Sequence, residues 1–166
     1  MSDVAPASLA GAEWLGARPV ARVFTALAGG DRETRIIGGA VRNALMGVAV
    51  GEVDFGTTAT PDEVAALVAK AGMKSVPTGV EHGTVTVVSE GIGFQVTTLR
   101  EDIETDGRHA VVRFGRDWRA DAMRRDFTVN ALSVDADGRL HDPLGGYPDI
   151  AARRIRFIGE ADRRIA

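Results

Sequence analysis

The sequence predicts a mixed α/β domain of the α+β type, and three observations carry that expectation. Short apolar or alternating runs at 35–37, 52–55, 82–88 and 93–99 read as strands. Between them lie segments with helix start and stop signals, of which Thr60-Pro61-Asp62-Glu63, closed by Gly72, is the clearest. A chain of 166 residues with 45% hydrophobic and 26% charged residues has the size and composition of one domain with a real core.

Residues 1–17 are rich in Ala and Gly and read as a loose leader or a short helix. Pro19 suits the first turn of a helix that runs to about Leu27 and is closed by Gly29-Gly30, with Val20, Val23, Phe24 and Leu27 on its apolar face. The strand at 35–37 leads at once into Gly38-Gly39 and a helix ending at Gly47. A strand at 52–55 follows. Thr60 then caps a helix with Pro61 at its first position and acids in its first turn, running to about Ala71. Residues 82–88 and 93–99 alternate around a turn at 90–93 and read as a hairpin. Residues 100–116 show little periodicity and read as a long loop. A helix at 117–125, a strand at 129–135, a loop at 142–146, one helical turn at 148–152 and an extended segment at 155–158 complete the order. Residues 161–166 read as the first turn of a further helix that stops short, so the chain is expected to be a piece of a longer protein.

Composition excludes several classes of function. No cysteine is present, which rules out disulfides, thiol catalysis and zinc sites of the cysteine type. No stretch approaches the ~20 apolar residues that span a bilayer, and no signal peptide is legible, so a cytoplasmic protein without a membrane partner is expected. The net charge of −3 does not mark a nucleic-acid binder. Its distribution says more: from residue 100 onward 13 arginines face 13 carboxylates, and the acidic excess lies in the first 99 residues. Only Lys70 and Lys74 among the 20 basic residues are lysine. Arginine presents a planar fork suited to phosphate, although a G- and C-rich genome favours arginine equally.

Two segments carry candidate chemistry. Glu52 and Asp54 are two apart in the expected strand, which puts both carboxylates on one face, roughly 7 Å apart at Cα. Such a pair can hold hard divalent cations, and it also fits a solvated strand edge. A helix opening at Gly38-Gly39 offers free N–H groups to a polyphosphate, with Arg42 one turn further in. The same residues also fit a tight strand-to-helix turn with a surface arginine. His82 and His109 have no partner spacing that supports a general base, and Thr84 and Thr86 read as strand-face residues.

Order resolves the ambiguity. Gly38-Gly39-Ala40-Val41-Arg42, a short gap and Glu52-Val53-Asp54 resemble the signature of the nucleotidyltransferase superfamily that includes DNA polymerase beta. Further blocks follow in sequence: Thr78-Gly79 with His82-Gly83-Thr84-Val85-Thr86-Val87, Val96-Thr97-Thr98-Leu99-Arg100, and Asp106-Gly107-Arg108. Then come Arg124-Arg125-Asp126-Phe127-Thr128-Val129-Asn130-Ala131 and Asp142-Pro143 with Gly145-Gly146. Together they resemble the head domain of class II CCA-adding enzymes and bacterial poly(A) polymerases over residues 35–160.

The resemblance implies a nucleotidyltransferase fold, a mixed sheet of about five strands with helices packed on it. It also implies template-independent addition of nucleotides from ATP or CTP to an RNA 3′ end, with magnesium as cofactor. Gly38, Gly39 and Arg42 are expected to hold the triphosphate, and Glu52 and Asp54 the metal. Arg125 is expected to contact the nucleotide, and Asp126 and Asn130 to order the site or touch sugar and phosphates. The segment 100–116 matches a mobile loop that assists the reaction. Three positions depart from the family pattern. Glu52 stands where the family has Asp, Asn43 where Asp is common, and Gln95 where a glutamate supplies a third carboxylate. A catalytically degenerate head that binds nucleotide or RNA is therefore a second expectation. The neck, body and tail that select C or A and hold tRNA in that family have no counterpart before residue 161, so tRNA is expected to be engaged through parts mostly absent here. CCA addition and poly(A) synthesis are not separated by the residues present.

Overall fold

In the computed structural model, residues 4–104 and 110–159 are described. Strand β1 (Val4–Ser8) and helix α1 (Glu13–Gly16) precede α2 (Arg18–Leu27) and β2 (Thr34–Ile37). Next come α3 (Gly39–Leu45), β3 (Asp54–Thr57), α4 (Pro61–Lys70) and β4 (Lys74–Gly79). Strands β5 (Thr84–Ser89), β6 (Ile92–Thr98), β7 (Arg100–Glu104) and β8 (Ala110–Phe114) follow. The order ends with α5 (Trp118–Ala122), β9 (Ser133–Val134), β10 (Arg139–His141) and α6 (Gly146–Ala151). No described helix is long and apolar enough to cross a membrane.

Eight strands form one mixed sheet in the order β1-β10-β9-β2-β3-β6-β5-β4, and β7 pairs with β8 in a separate ribbon. The sheet is thus larger than the five strands expected, because β1, β4 and β10 add to it. Every neighbouring pair whose register is defined is antiparallel except β3 with β6, which run parallel with Phe55 opposite Val96. The alternation of side chains sends Ile36, Phe55, Val96, Val85 and Val134 to one face. There α2 and α4 cover them with Val20, Val23, Phe24, Leu27, Val64 and Val68, and Phe24 and Phe94 stand edge-on to the central Phe55 ring at 5.1 and 5.7 Å. The opposite face carries Arg35, Ile37, Asp54, Gly56, Gln95 and Thr97, and this is where the polar residues gather.

Several boundaries differ from the sequence reading for identifiable reasons. Residues 100–104 and 110–114, read as a loop, are the β7–β8 ribbon; β7, Arg-Glu-Asp-Ile-Glu, is charged and lacks the apolar alternation of a buried strand. Strand β3 begins at Asp54, so Glu52 lies ahead of it, exposed, and strand alternation does not fix its direction. The segment read as one strand from 129 opens as a 3₁₀ turn, Thr128–Asn130, and only Ser133–Val134 pairs in the sheet. Helix α5 spans five residues, capped by Asp117 through the N–H groups of Arg119 and Ala120, rather than reaching 125. The leader holds β1 and α1. Strand β4 was not anticipated because it is a mostly exposed edge interrupted by Pro77, with an irregular register between Val76 and Gly79. Asp106, Gly107, Arg108, His109 and the helix expected at 161–166 lie outside the described residues.

Candidate active site

Gly38 links β2 to α3 with φ +71° and ψ −136°, a conformation open to glycine. At Gly39 the absence of a side chain serves a different end. A Cβ there would lie 3.3 Å from Nη2 of Arg42, whose guanidinium folds back over the start of the helix. Two hydrogen bonds hold it there. Its Nη1 donates to Oδ1 of Asn130 at 2.7 Å and its Nε to Oδ1 of Asn43 at 3.2 Å. Asn130 in turn donates through Nδ2 to Oδ1 of Asp126 at 3.1 Å, and that oxygen also takes the N–H of Phe127 at 2.7 Å. Asn43 additionally donates to the carbonyl of Ala49 at 3.4 Å, a bond aspartate could not make.

Asp54 opens β3 opposite Ile37, with Phe55 beneath it in the core. Its Oδ1 is buried and has no hydrogen-bond partner in the protein. Burial holds its carboxyl above the usual carboxylate range, the charge of Glu52 pushes the same way, and Arg125 opposes both. A buried, unsatisfied carboxylate oxygen beside a second acid is what a divalent cation would complete, so the donor set fits a hard metal ion. Among the described residues no group of three His, Cys, Asp or Glu side chains gathers at metal distance. Magnesium bound by one or two carboxylates, with water and phosphate oxygens filling the rest, fits that limit. Gln95 lies on β6, one step before the Phe55–Val96 pair, which aligns it with Asp54 on the same face of the parallel strands. A neutral amide thus occupies the place nearest a third carboxylate.

A cleft of about 590 Å³ joins these elements, lined by Gly38, Gly39, Arg42, Asp54, Arg125, Asp126 and Asn130 together with Arg100, Asp121 and Arg124. Seven residues expected at the site are therefore brought together, while Glu52 and Gln95 stand outside this wall. Of Arg100, Asp121 and Arg124, the first and last stood in the ordered sequence blocks without a role, and Asp121 was not singled out. Asp121 is buried, takes the N–H of Arg100 at 3.0 Å and pairs with Arg125 at 3.4 Å, so it fixes the β7 start and the arginine block to one another. Its signal was the four-residue spacing to Arg125. Arg124 pairs with Asp102 of β7 at 3.0 Å. His82 and Glu81 are exposed and do not line the cleft.

Behind the cleft the block from Asp142 to Gly146 is explained by local structure. Asp142 accepts the N–H groups of Gly146 and Tyr147 at 2.7 and 2.9 Å, and Gly146 packs so closely that a Cβ would come within 2.1 Å of the Thr128 carbonyl. Asp149, fully buried on α6, accepts from the Thr128 hydroxyl, from Arg154 at 2.7 Å and from Arg156 at 2.9 Å. These contacts hold the turn that presents Asn130 to Arg42.

Comparison with known proteins adds a second line of observation. A family model described as the poly A polymerase head domain matches residues 34–156. The CCA tRNA nucleotidyltransferase 1, mitochondrial, of Danio rerio is 48% identical over 134 residues, covering 80% of this chain and 31% of its own length. The CCA-adding enzyme of Geobacillus thermodenitrificans (strain NG80-2) is 46% identical over 135 residues, 80% of this chain and 32% of that protein. The chain thus spans about a third of the length of the curated relatives it matches. Among solved structures, the Bacillus stearothermophilus CCA-adding enzyme in complex with CTP superposes with a TM-score of 0.75 at 38% identity, over 92% of this chain and 34% of that one. A tRNA nucleotidyltransferase complexed with a primer tRNA and an incoming ATP analog gives 0.61 at 28% identity, over 77% and 36%.

Proposed function

The chain belongs to the poly A polymerase head domain family, and from that premise we propose that it is the nucleotide-binding head of a tRNA CCA-adding enzyme. The reaction is attack of an RNA 3′-hydroxyl on the α-phosphorus of CTP or ATP, breaking the bond to the β-phosphate and releasing pyrophosphate. The names of the relatives favour CCA addition over poly(A) synthesis, and the solved neighbours carry CTP or a primer tRNA with an ATP analog.

The observation that carries this reading is the buried, unpartnered Asp54 Oδ1 in the wall of a cleft shared with Arg42 and Arg125. Asp54 and Glu52 are the residues that would hold magnesium, which would supply positive charge beside the phosphates and favour the ionised 3′-hydroxyl. Arg42, pinned by Asn130, offers its remaining donors to the triphosphate, and Gly39 leaves room for that approach. Arg125 stands close enough to Asp54 to oppose the rise in its pKa, so it can bridge the metal end of the cleft and the phosphates. Calorimetric titration with CTP and ATP, with and without magnesium, tests the reading: binding that requires magnesium and is lost in Asp54→Ala is expected. Magnesium-independent binding that survives Asp54→Ala would overturn it.

A second reading, a head that binds nucleotide without chemistry, is favoured by Gln95 in the acidic position and by Glu52 lying ahead of β3. Formation of an extended RNA by the protein together with its neck, body and tail separates the two.

A further inference from the structure

Arg100 begins β7, and its backbone N–H is tied to Asp121 at 3.0 Å, which fixes where its side chain starts. Its side chain lines the same cleft as Asp54, Arg42 and Arg125. There its Nε is buried and has no hydrogen-bond partner. An orphaned guanidinium donor in a low-dielectric wall is costly unless an anion is meant to meet it. The neighbouring arginines are differently placed: Arg124 is paired with Asp102 at 3.0 Å and Arg125 with Asp121 at 3.4 Å. Three guanidinium groups line this one cleft, and burial first, then the neighbouring charges of Arg124 and Arg125, disfavour the charge on Arg100.

Asp121 ties Arg100 to Arg125: it takes the backbone N–H of Arg100 at 3.0 Å and pairs with Arg125 at 3.4 Å, and all three line the one cleft that Asp54 also lines. A nucleoside triphosphate with its α-phosphate at Asp54 would thus have Arg100 in the same cleft for its distal phosphates.

We propose that Arg100 is a substrate-binding residue that holds the β- and γ-phosphates of the incoming nucleotide, and hence the pyrophosphate that leaves. The assignment rests on the nucleotidyl-transfer reading above. It requires no new chemistry: the fork that steadies the distal phosphates of CTP before the α-phosphorus is attacked binds the same oxygens after the bond has broken.

The test is calorimetric titration of the whole chain, in magnesium, with CTP, inorganic pyrophosphate, cytidine and a short RNA oligonucleotide. Wild type is compared with Arg100→Met, which keeps the length of the side chain, and with Arg100→Lys, which keeps the charge without the fork. Arg100→Met should weaken CTP and pyrophosphate by about tenfold or more, with Arg100→Lys intermediate and cytidine unchanged. Pyrophosphate affinity equal to wild type in Arg100→Met would overturn the assignment, as would a loss confined to the RNA, which would give Arg100 to the acceptor backbone. If Arg100→Met does not fold, Arg100→Lys decides alone, and pyrophosphate affinity within twofold of wild type overturns the assignment. A wild-type chain that binds neither CTP nor pyrophosphate would overturn the proposed function itself and this assignment with it.

Discussion

Arg42 and Asn130 lie 88 residues apart in the chain and meet at 2.7 Å, so the helix after β2 and the arginine-bearing block before β9 form one surface. Replacing Asn130 with Ala leaves Arg42 without its main anchor and Asp126 without its Nδ2 donor. CTP affinity should fall by about 1–2 kcal/mol, close to a tenfold weakening. Titration of Asn130→Ala beside wild type checks this, and unchanged affinity would mean that Arg42 needs no support.

Asp54 sets function against stability. Burial, reinforced by Glu52, holds its carboxyl above the ordinary range, so the ionised form costs folding free energy at neutral pH. Asp54→Asn should melt higher than wild type at pH 7 in the absence of metal while losing magnesium-dependent nucleotide binding. A variant that melts lower and still binds would contradict both halves.

The buried Asp149 behaves in the opposite sense. Burial alone would raise its pKa, but hydrogen bonds from Thr128, Arg154 and Arg156 outweigh it and hold the carboxyl below the usual range. A depressed folded-state pKa gives stability that is fully present above the unfolded value of 3.8 and is lost as pH falls through the lower folded value. Asp149→Asn should destabilise the fold by about 2–3 kcal/mol at neutral pH, the half-exposed arginines keeping the figure modest. The deficit should shrink in acid below pH 3.8. Urea melts from about pH 7 down to about pH 2.5 would show a constant deficit if Asp149 were not the titrating group.

Gly146→Ala addresses packing alone. The added methyl would meet the Thr128 carbonyl, a backbone atom that cannot swing aside. A loss of about 3 kcal/mol or more is expected by denaturant unfolding, with CTP binding weakened because the 128–130 turn moves.

The two departures in the acidic set can be reversed together. Glu52→Asp with Gln95→Glu, in the protein carrying its neck, body and tail, should raise nucleotide addition by at least about tenfold if the second carboxylate reach and the third acid limit the reaction. No gain would show that the present residues suffice.

What the sequence made legible was mostly local. The cap of α4 is there as read: Thr60 Oγ1 takes the Glu63 N–H at 3.3 Å, and the Glu63 carboxylate accepts the Thr60 N–H at 3.0 Å. Helix α2 and the left-handed glycines at 47 and 72 were equally plain, because each depends only on its neighbours. The residues proposed for the nucleotide were legible as ordered blocks, and the fold brings seven of them to one cleft. Strand β1 was hidden because its pairing partner β10 lies more than a hundred residues away. Ribbon β7–β8 was hidden because β7 is charged and shows no apolar alternation. Asp121 was missed, and Arg100 stood in its block without a role, for a similar reason: a backbone N–H meeting a carboxylate 21 residues on leaves no trace in composition or period.

Among the described residues strand β4 ends the sheet with one side unpaired, and Pro77 within it has no N–H to donate. Lys74 places a charge at its start, and Val76 is nearly half exposed. An uninterrupted edge of this kind would recruit strands from other copies, so Pro77 acts as a gatekeeper against self-association. Self-association at high concentration is thus opposed on an edge strand, by one residue that withholds a hydrogen bond.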